Sequence, residues 1–107
     1  PLEDRVILYP DAPGEVLCPH AFPLALRDAS RSIDGLSRHL DSHGIQCKTL
    51  FGSLPTQHRA FAFLGYRPGQ FPVAERIGRT GLHFGIHQYL TDDDIAYAAE
   101  RVSAYFA

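Results

Sequence analysis

The sequence predicts an α+β sandwich, a small, largely antiparallel three-stranded sheet with helices packed on one face. Two segments place apolar residues at helical spacing, one with Ile33, Leu36 and Leu40, the other with Ile95, Ala98, Val102 and Tyr105. That spacing suits helices that bury a single stripe. Short runs rich in β-branched and aromatic residues lie between Gly and Pro breaks and read as strands. The elements follow in the order strand, helix, strand, two short helices, strand, helix, so each helix can cover a shared sheet.

Taking the elements in order, residues 1–20 are rich in breakers, with Pro10, Pro13, Gly14 and Pro19 around the apolar run Val6-Ile7-Leu8-Tyr9. This part reads as an extended arm or linker, although the apolar run itself could be a strand. The domain proper is expected over residues 21–107. Phe22 to Arg27 reads as its first strand, and Pro23 points to an edge position or a strand beginning. Asp28 to Ser30 forms a turn in which Ser30 is the better helix cap. A helix from about Arg31 to His43 follows and stops at Gly44, where a left-handed residue is wanted. Gly35 weakens its interior by roughly 1 kcal/mol relative to Ala, so packing must hold it.

Ile45 to Phe51 reads as the second strand and Gln57 to Leu64 as a short helix. Pro72 opens another helix, with Ala74 and Ile77 facing inward and Gly78 closing it. Leu82 to Ile86 is the third strand, with Gly81 and Gly85 allowing close backbone approach. Thr91 caps the last helix, and Asp94 three residues on completes a capping-box pair.

The chain has 107 residues, 45% of them hydrophobic and 21% charged, which fits one globular domain. The formal net charge is -2 and no long basic run occurs, so the electrostatic footprint of a nucleic-acid binder is missing. No apolar stretch approaches the ~20 residues that span a bilayer, and no signal-peptide pattern opens the chain. A cytoplasmic protein without membrane or nucleic-acid partners is expected. The first residue is Pro1 rather than Met, as expected of a chain processed or cut from something longer. Cys18 and Cys47 are too few for a disulfide scaffold and are expected to be free.

Several residues could carry chemistry. His39 and His43 lie four apart on one helix face, a spacing that can hold a metal, but Leu40 stands where the zinc-protease motif needs Glu. A solvent-exposed pair near a helix C-terminus explains them as well. His83 and His87 would point the same way from one strand, and His58 could approach them. No ligand doublet has a structural-zinc spacing, and no metal site is expected. Ser53 and His58 suggest nucleophilic chemistry, but Gly52-Ser53-Leu54 is not a nucleophile elbow, and Ser53 beside Pro55 suits a turn. Lys48 is the single lysine. It lies within a predicted strand and is read as a surface residue, not as a cofactor-binding lysine.

The helix ending at Gly44-Ile45, the strand and aromatic that follow, and the loop with Gln57 resemble the DegT/StrS-like sugar aminotransferases, which use pyridoxal phosphate (PLP). So do Phe71-Pro72-Val73-Ala74-Glu75, the run from Leu82 to His87, and Leu90-Thr91-Asp92-Asp93-Asp94-Ile95. The resemblance covers about residues 20–106. It implies the C-terminal small domain of a fold-type I PLP enzyme, with the large PLP-binding domain and its lysine outside this chain. It further implies a nucleotide-linked keto-sugar as the substrate of the parent, a homodimer, no cofactor held by this chain alone, and no catalytic residue within it.

The segment 51–58 is then the best candidate for touching substrate. Phe51 could stack on a ring, and Ser53, Thr56, Gln57 and His58, with His87, supply hydrogen-bonding groups. Phe51, Leu50 and Cys47 stand where the family commonly has Tyr, His and Thr. Leu50-Phe51-Gly52 with Gln57 also resembles the related PLP-dependent sugar dehydratases, so transamination and dehydration both stay open. A stand-alone, self-associating module derived from such a domain is the rival expectation.

Overall fold

The computed structural model describes residues 1–50 and 54–107. Its centre is an antiparallel sheet of β1 (Val6–Leu8), β2 (Ala21–Leu26), β3 (Cys47–Thr49) and β4 (Gly81–Gly85), in the spatial order β1-β2-β4-β3. Three helices join it, α1 (Ile33–Asp41), α2 (Pro72–Thr80) and α3 (Asp92–Ala104). The α+β class and the antiparallel pairing are as the sequence predicts.

The sheet has one strand more than the expected three. Val6-Ile7-Leu8, within the segment read as an arm, pairs with β2 in the register Val6↔Leu26 to Leu8↔Leu24. Burial explains why. Alternation along β1 turns Val6 into the core, where it is 1% exposed.

β2 is internal to the sheet as a whole, but Pro23 lies where one of its sides is unpaired, as the expected edge position or strand beginning requires. The proline is tolerated because β1 reaches only Leu24 to Leu26. Over Ala21 to Pro23, β2 has β4 alone as its neighbour. Pro23 therefore sits at the beginning of the strand, where a missing N–H need not cost a ladder bond.

One face of the sheet is closed by α1 and α3. Leu24, Leu26 and Leu82 meet Ile33, Leu36 and Leu40 of α1, Val102 of α3 and Val6 of β1 in a single cluster. Two tyrosines tie α3 along α1. The Tyr105 hydroxyl donates to the Ser32 carbonyl (3.0 Å), and the Tyr97 hydroxyl donates to the His43 carbonyl (3.1 Å). Gly35 now has its reason, because a Cβ there would lie 2.6 Å from the Tyr105 hydroxyl. The helix gives up propensity to let α3 approach.

Local details correct several expectations. Ser32, not Ser30, caps α1 by accepting from the Gly35 amide (3.1 Å). Ser30 instead donates to Asp28 Oδ1 (2.6 Å), which holds the Asp28 carboxyl below its usual range. α2 runs through Gly78 and ends at Thr80, with Ile77 43% exposed rather than inward. Ile95 of α3 is 58% exposed. Gly44 does take the left-handed conformation (φ 75°), and the Thr91–Asp94 capping box is present in both directions.

α2 packs against β2 and β4. Its Val73, Arg76 and Ile77 border a shallow trough with Ile7, Tyr9, Pro23 and Ala25. Alternation puts Ile7, Pro23 and Ala25 on the face opposite Val6, Leu24 and Leu26. That face is mostly apolar and open.

Candidate functional site

The predicted site segment leaves the sheet at the start of β4. Leu50 extends the β3–β4 ladder by one bond, donating to the Gly81 carbonyl (2.9 Å). Gly81 is needed there, since a Cβ would lie 2.5 Å from Leu50 Cδ1 and 2.7 Å from the Ile77 carbonyl oxygen. Phe51 and Ser53, two of the predicted substrate contacts, lie outside the described residues. The hydrolase option through Ser53 falls outside them too.

From Leu54 the chain turns tightly. Pro55–Gln57 forms a single 3-10 turn opened by the proline, with the Gln57 amide donating to the Leu54 carbonyl (2.9 Å). A second 3-10 segment covers Arg59–Leu64 and replaces the continuous helix expected over 57–64. Thr56 and Gln57 are half-buried, and His58 between the two turns is exposed.

Gln57 is held by Glu75 of α2. Its Nε2 donates to Glu75 Oε1 (2.8 Å) and to the Arg67 carbonyl (3.3 Å). Glu75 Oε1 also accepts from the Gly69 amide (2.8 Å) and the Phe71 amide (3.1 Å), while Oε2 accepts from Gly69 (2.9 Å) and faces Arg79 Nη1 at 4.0 Å. Gly69 has φ 95°, a backbone state that only glycine takes freely, and its N–H reaches the carboxylate from there. One carboxylate thus joins the 54–58 segment, the 65–70 loop and the first turn of α2.

These donors favour the charged form of Glu75, so its carboxyl is held below the ordinary value of 4.5, first by Gln57, then by the Phe71 and Gly69 amides and Arg79. A folded-state value below the unfolded one makes its contribution complete above the unfolded value, and that contribution is lost as pH falls through the lower folded value. In an NMR titration, the Gly69 amide is therefore expected to inflect below pH 4.5. An inflection at or above that pH would contradict the assignment.

Glu75 figures in the sequence only as the end of Phe71-Pro72-Val73-Ala74-Glu75, with no site role expected of it. An acidic residue in the first turn of a helix opened by proline was the available signal. It marks a favourable charge but not the loop that the charge gathers.

His87 lies apart from this junction. β4 ends at Gly85, so His87 has left the strand. Its exposed ring accepts from the Tyr89 amide at Nδ1 (3.2 Å). Leu50, which precedes the candidate segment, pairs with Gly81 at the start of β4, whereas His87 follows Gly85 at its end. The structure therefore joins Gln57 to Glu75 and does not bring His87 to the same place.

The remaining polar candidates serve packing. His39 Nε2 lies 2.9 Å from the Arg101 carbonyl and His43 Nδ1 lies 2.7 Å from the His39 carbonyl, so each ring is engaged with backbone at the α1–α3 seam. Among the described residues, no group of three or more His, Cys, Asp or Glu is placed to share a metal ion. Cys18 and Cys47 are free thiols. Lys48 is exposed on the edge strand β3 and sits across from His83. It lines neither the trough beside α2 nor the polar cleft between Arg31 and Arg79, so its surroundings do not fit a lysine that binds PLP.

Comparison with known proteins decides the lineage. The description "DegT/DnrJ/EryC1/StrS aminotransferase family" matches residues 4–103. The chain belongs to that family. No curated protein matches the sequence.

Among solved structures, the aminotransferase TlmJ from Streptoalloteichus hindustanus is similar at TM-score 0.75 and 24% identity, over 96% of this chain and 26% of that one. An aminotransferase from Psychrobacter cryohalolentis is similar at TM-score 0.64 and 26% identity, over 80% of this chain and 23% of that one. The Escherichia coli GDP-4-keto-6-deoxy-D-mannose-3-dehydratase is similar at TM-score 0.63 and 25% identity, over 77% of this chain and 22% of that one. This DegT-family chain thus spans about a quarter of the length of these structures. Among the described residues, no helix is long and apolar enough to cross a membrane.

Proposed function

We propose that this chain is the C-terminal small domain of a PLP-dependent sugar aminotransferase-like enzyme and is inactive alone. The observation that carries the reading is the TlmJ comparison, in which nearly all of this chain matches about a quarter of an aminotransferase. The exposed position of Lys48 supports it, because PLP chemistry ordinarily needs a lysine in a built pocket. The PLP and its lysine then belong to a large domain outside these residues. The parent is a cytoplasmic homodimer acting on a nucleotide-linked keto-sugar.

Within this reading the domain supplies a wall to the site. Segment 51–58 contacts the sugar nucleotide through Phe51, Ser53, Thr56, Gln57 and His58, and His87 contacts it from a second position. When bound, PLP supplies the electron sink for amino transfer, and this chain's groups bind and orient the substrate. The dehydratase similarity favours a second reading within the family, in which the same wall serves dehydration. The open trough of Ile7, Tyr9, Val73 and Ile77 favours the rival, a self-associating module.

The test expresses the longest reading frame containing these residues beside the 107-residue chain, and follows PLP absorbance, mass and turnover of a nucleotide-linked keto-sugar with an amino donor. The longer product is expected to be yellow, dimeric and active, and the short chain colourless. Lysine-bound PLP on the short chain, abolished by Lys48→Ala, would overturn the proposal. A reading frame that encodes only these residues would favour the self-associating module.

A further inference from the structure

We infer that Glu75 is the positioning residue of the substrate-facing segment, and that it acts through Gln57 rather than by touching ligand. The part concerning substrate rests on the function proposed above. The anchoring part stands on geometry alone.

Among the described residues, segment 54–58 buries no side chain fully: Leu54, Thr56 and Gln57 are half-buried, Pro55 and His58 are exposed, and the neighbouring Phe61, Phe63 and Leu64 are exposed as well. With so little apolar burial, polar contacts carry much of its placement. Its polar tether to α2 is the bond from Gln57 Nε2 to Glu75 Oε1 (2.8 Å). The same carboxylate takes the Gly69 and Phe71 amides, so the 65–70 loop and the 54–58 segment are set from one point. That point is rigid for a further reason. Glu75 lies in the first turn of α2, and its own amide donates to the Phe71 carbonyl (2.9 Å).

The chemistry demands an ionised acceptor. Every group that faces the carboxylate at hydrogen-bond distance is an N–H, from Gln57, Gly69 and Phe71. A carboxylate accepts at both oxygens, whereas a carboxamide presents an NH2 at one of them. Glu75→Gln keeps the shape yet sets a donor against the Gly69 N–H or against the Gln57 amide. Glu75→Asp keeps the charge but falls one methylene short. Exchanging the two residues (Gln57→Glu with Glu75→Gln) restores a carboxylate–amide pair between α2 and the segment, while the Gly69 amide still faces a carboxamide.

The experiment measures residue-resolved amide exchange in the 107-residue chain and, in the longer protein, kcat and KM for the sugar substrate. In the short chain, Glu75→Gln is expected to speed exchange at Gly69 and Phe71 by about tenfold, the loss of one charge-assisted bond. Leu24 and Leu82 in the sheet should be unchanged. In the longer protein it should raise KM several-fold with kcat nearly constant, and the exchanged pair should recover most of the KM but not the Gly69 protection. Unchanged exchange at Gly69 and Phe71, or an increase spread through the sheet, overturns the inference. Faster exchange at those amides with an unaltered KM keeps Glu75 as the anchor and overturns the substrate role of the segment.

Discussion

Replacing Leu82 by alanine is expected to lower the free energy of unfolding by about 2–5 kcal/mol. Leu82 is completely buried. It lies on β4, the strand between β2 and β3, opposite Leu24 on one side and Thr49 on the other. Its side chain enters the cluster where both sheet and helices meet, with Leu26, Leu36, Leu40 and Val102. Truncation removes transfer energy and leaves a cavity that the packed sheet and helices cannot fully collapse.

A domain of this size holds about 5–15 kcal/mol in total, so the variant sits near the edge of folding. Urea unfolding should show a lower midpoint with an unchanged slope. Ile95→Ala serves as the contrast. Ile95 is 58% exposed, and its loss should stay within about 0.5 kcal/mol. Equal costs at the two positions would show that the sheet–helix cluster is not the centre of stability.

That contrast also marks what the sequence could and could not tell. Periodicity identified the buried stripe of α1, because Ile33, Leu36 and Leu40 share one face and one partner surface, although the helix spans Ile33–Asp41 rather than the expected Arg31 to His43. It over-read α3 and α2. Ile95 and Ile77 have the right spacing, but helical spacing names a face without saying how far a neighbour extends along it. α3 turns inward only from Ala98, and the exposed side of Ile77 borders the open trough.

The first strand, Val6–Leu8, stayed only an option in the sequence for a different reason. Three residues between breakers carry too little pattern to be separated from a linker, and only the partner β2 makes Val6 a core residue. Caps were legible where a reciprocal pair exists, as in Thr91 and Asp94. They were not where two serines competed and Ser30 was taken by Asp28.

For the candidate segment, the sequence offered residue types suited to a ligand but not the support that holds Gln57. Gln57 could be chosen for its amide, since an exposed-looking polar loop suggests contact with a ligand. Its Nε2 is engaged by a carboxylate 18 positions away in the chain, a long-range pairing that no local pattern encodes. His87 stands apart from this pairing, since β4 ends at Gly85 and the histidine lies beyond it.

Gly81→Ala is expected to cost about 1–3 kcal/mol, an unusually large penalty for one methyl group, and to disturb the entry to the 51–58 segment. The backbone is not the cause, for Gly81 has an extended conformation (φ -100°, ψ 142°) open to any residue. The cause is space. A Cβ would lie 2.5 Å from Leu50 Cδ1 and 2.7 Å from the Ile77 carbonyl oxygen. The leucine tip can swing away. The carbonyl cannot, because it receives the Gly81 amide that terminates α2.

The new methyl therefore pushes α2 from β4 or displaces Leu50, whose amide bonds Gly81 and whose next residue begins the candidate site. Gly85 on the same strand is the control, since a Cβ there meets nothing within 4 Å. Gly85→Ala should be neutral, or stabilising by about 0.4–1 kcal/mol through loss of unfolded-chain freedom. Urea midpoints for the two variants decide the matter. A clear loss at Gly81 with none at Gly85 shows that the close approach of α2, β4 and Leu50 sets the stem of the site. Indifference at both would mean that α2 shifts freely, and with it the anchor that Glu75 provides.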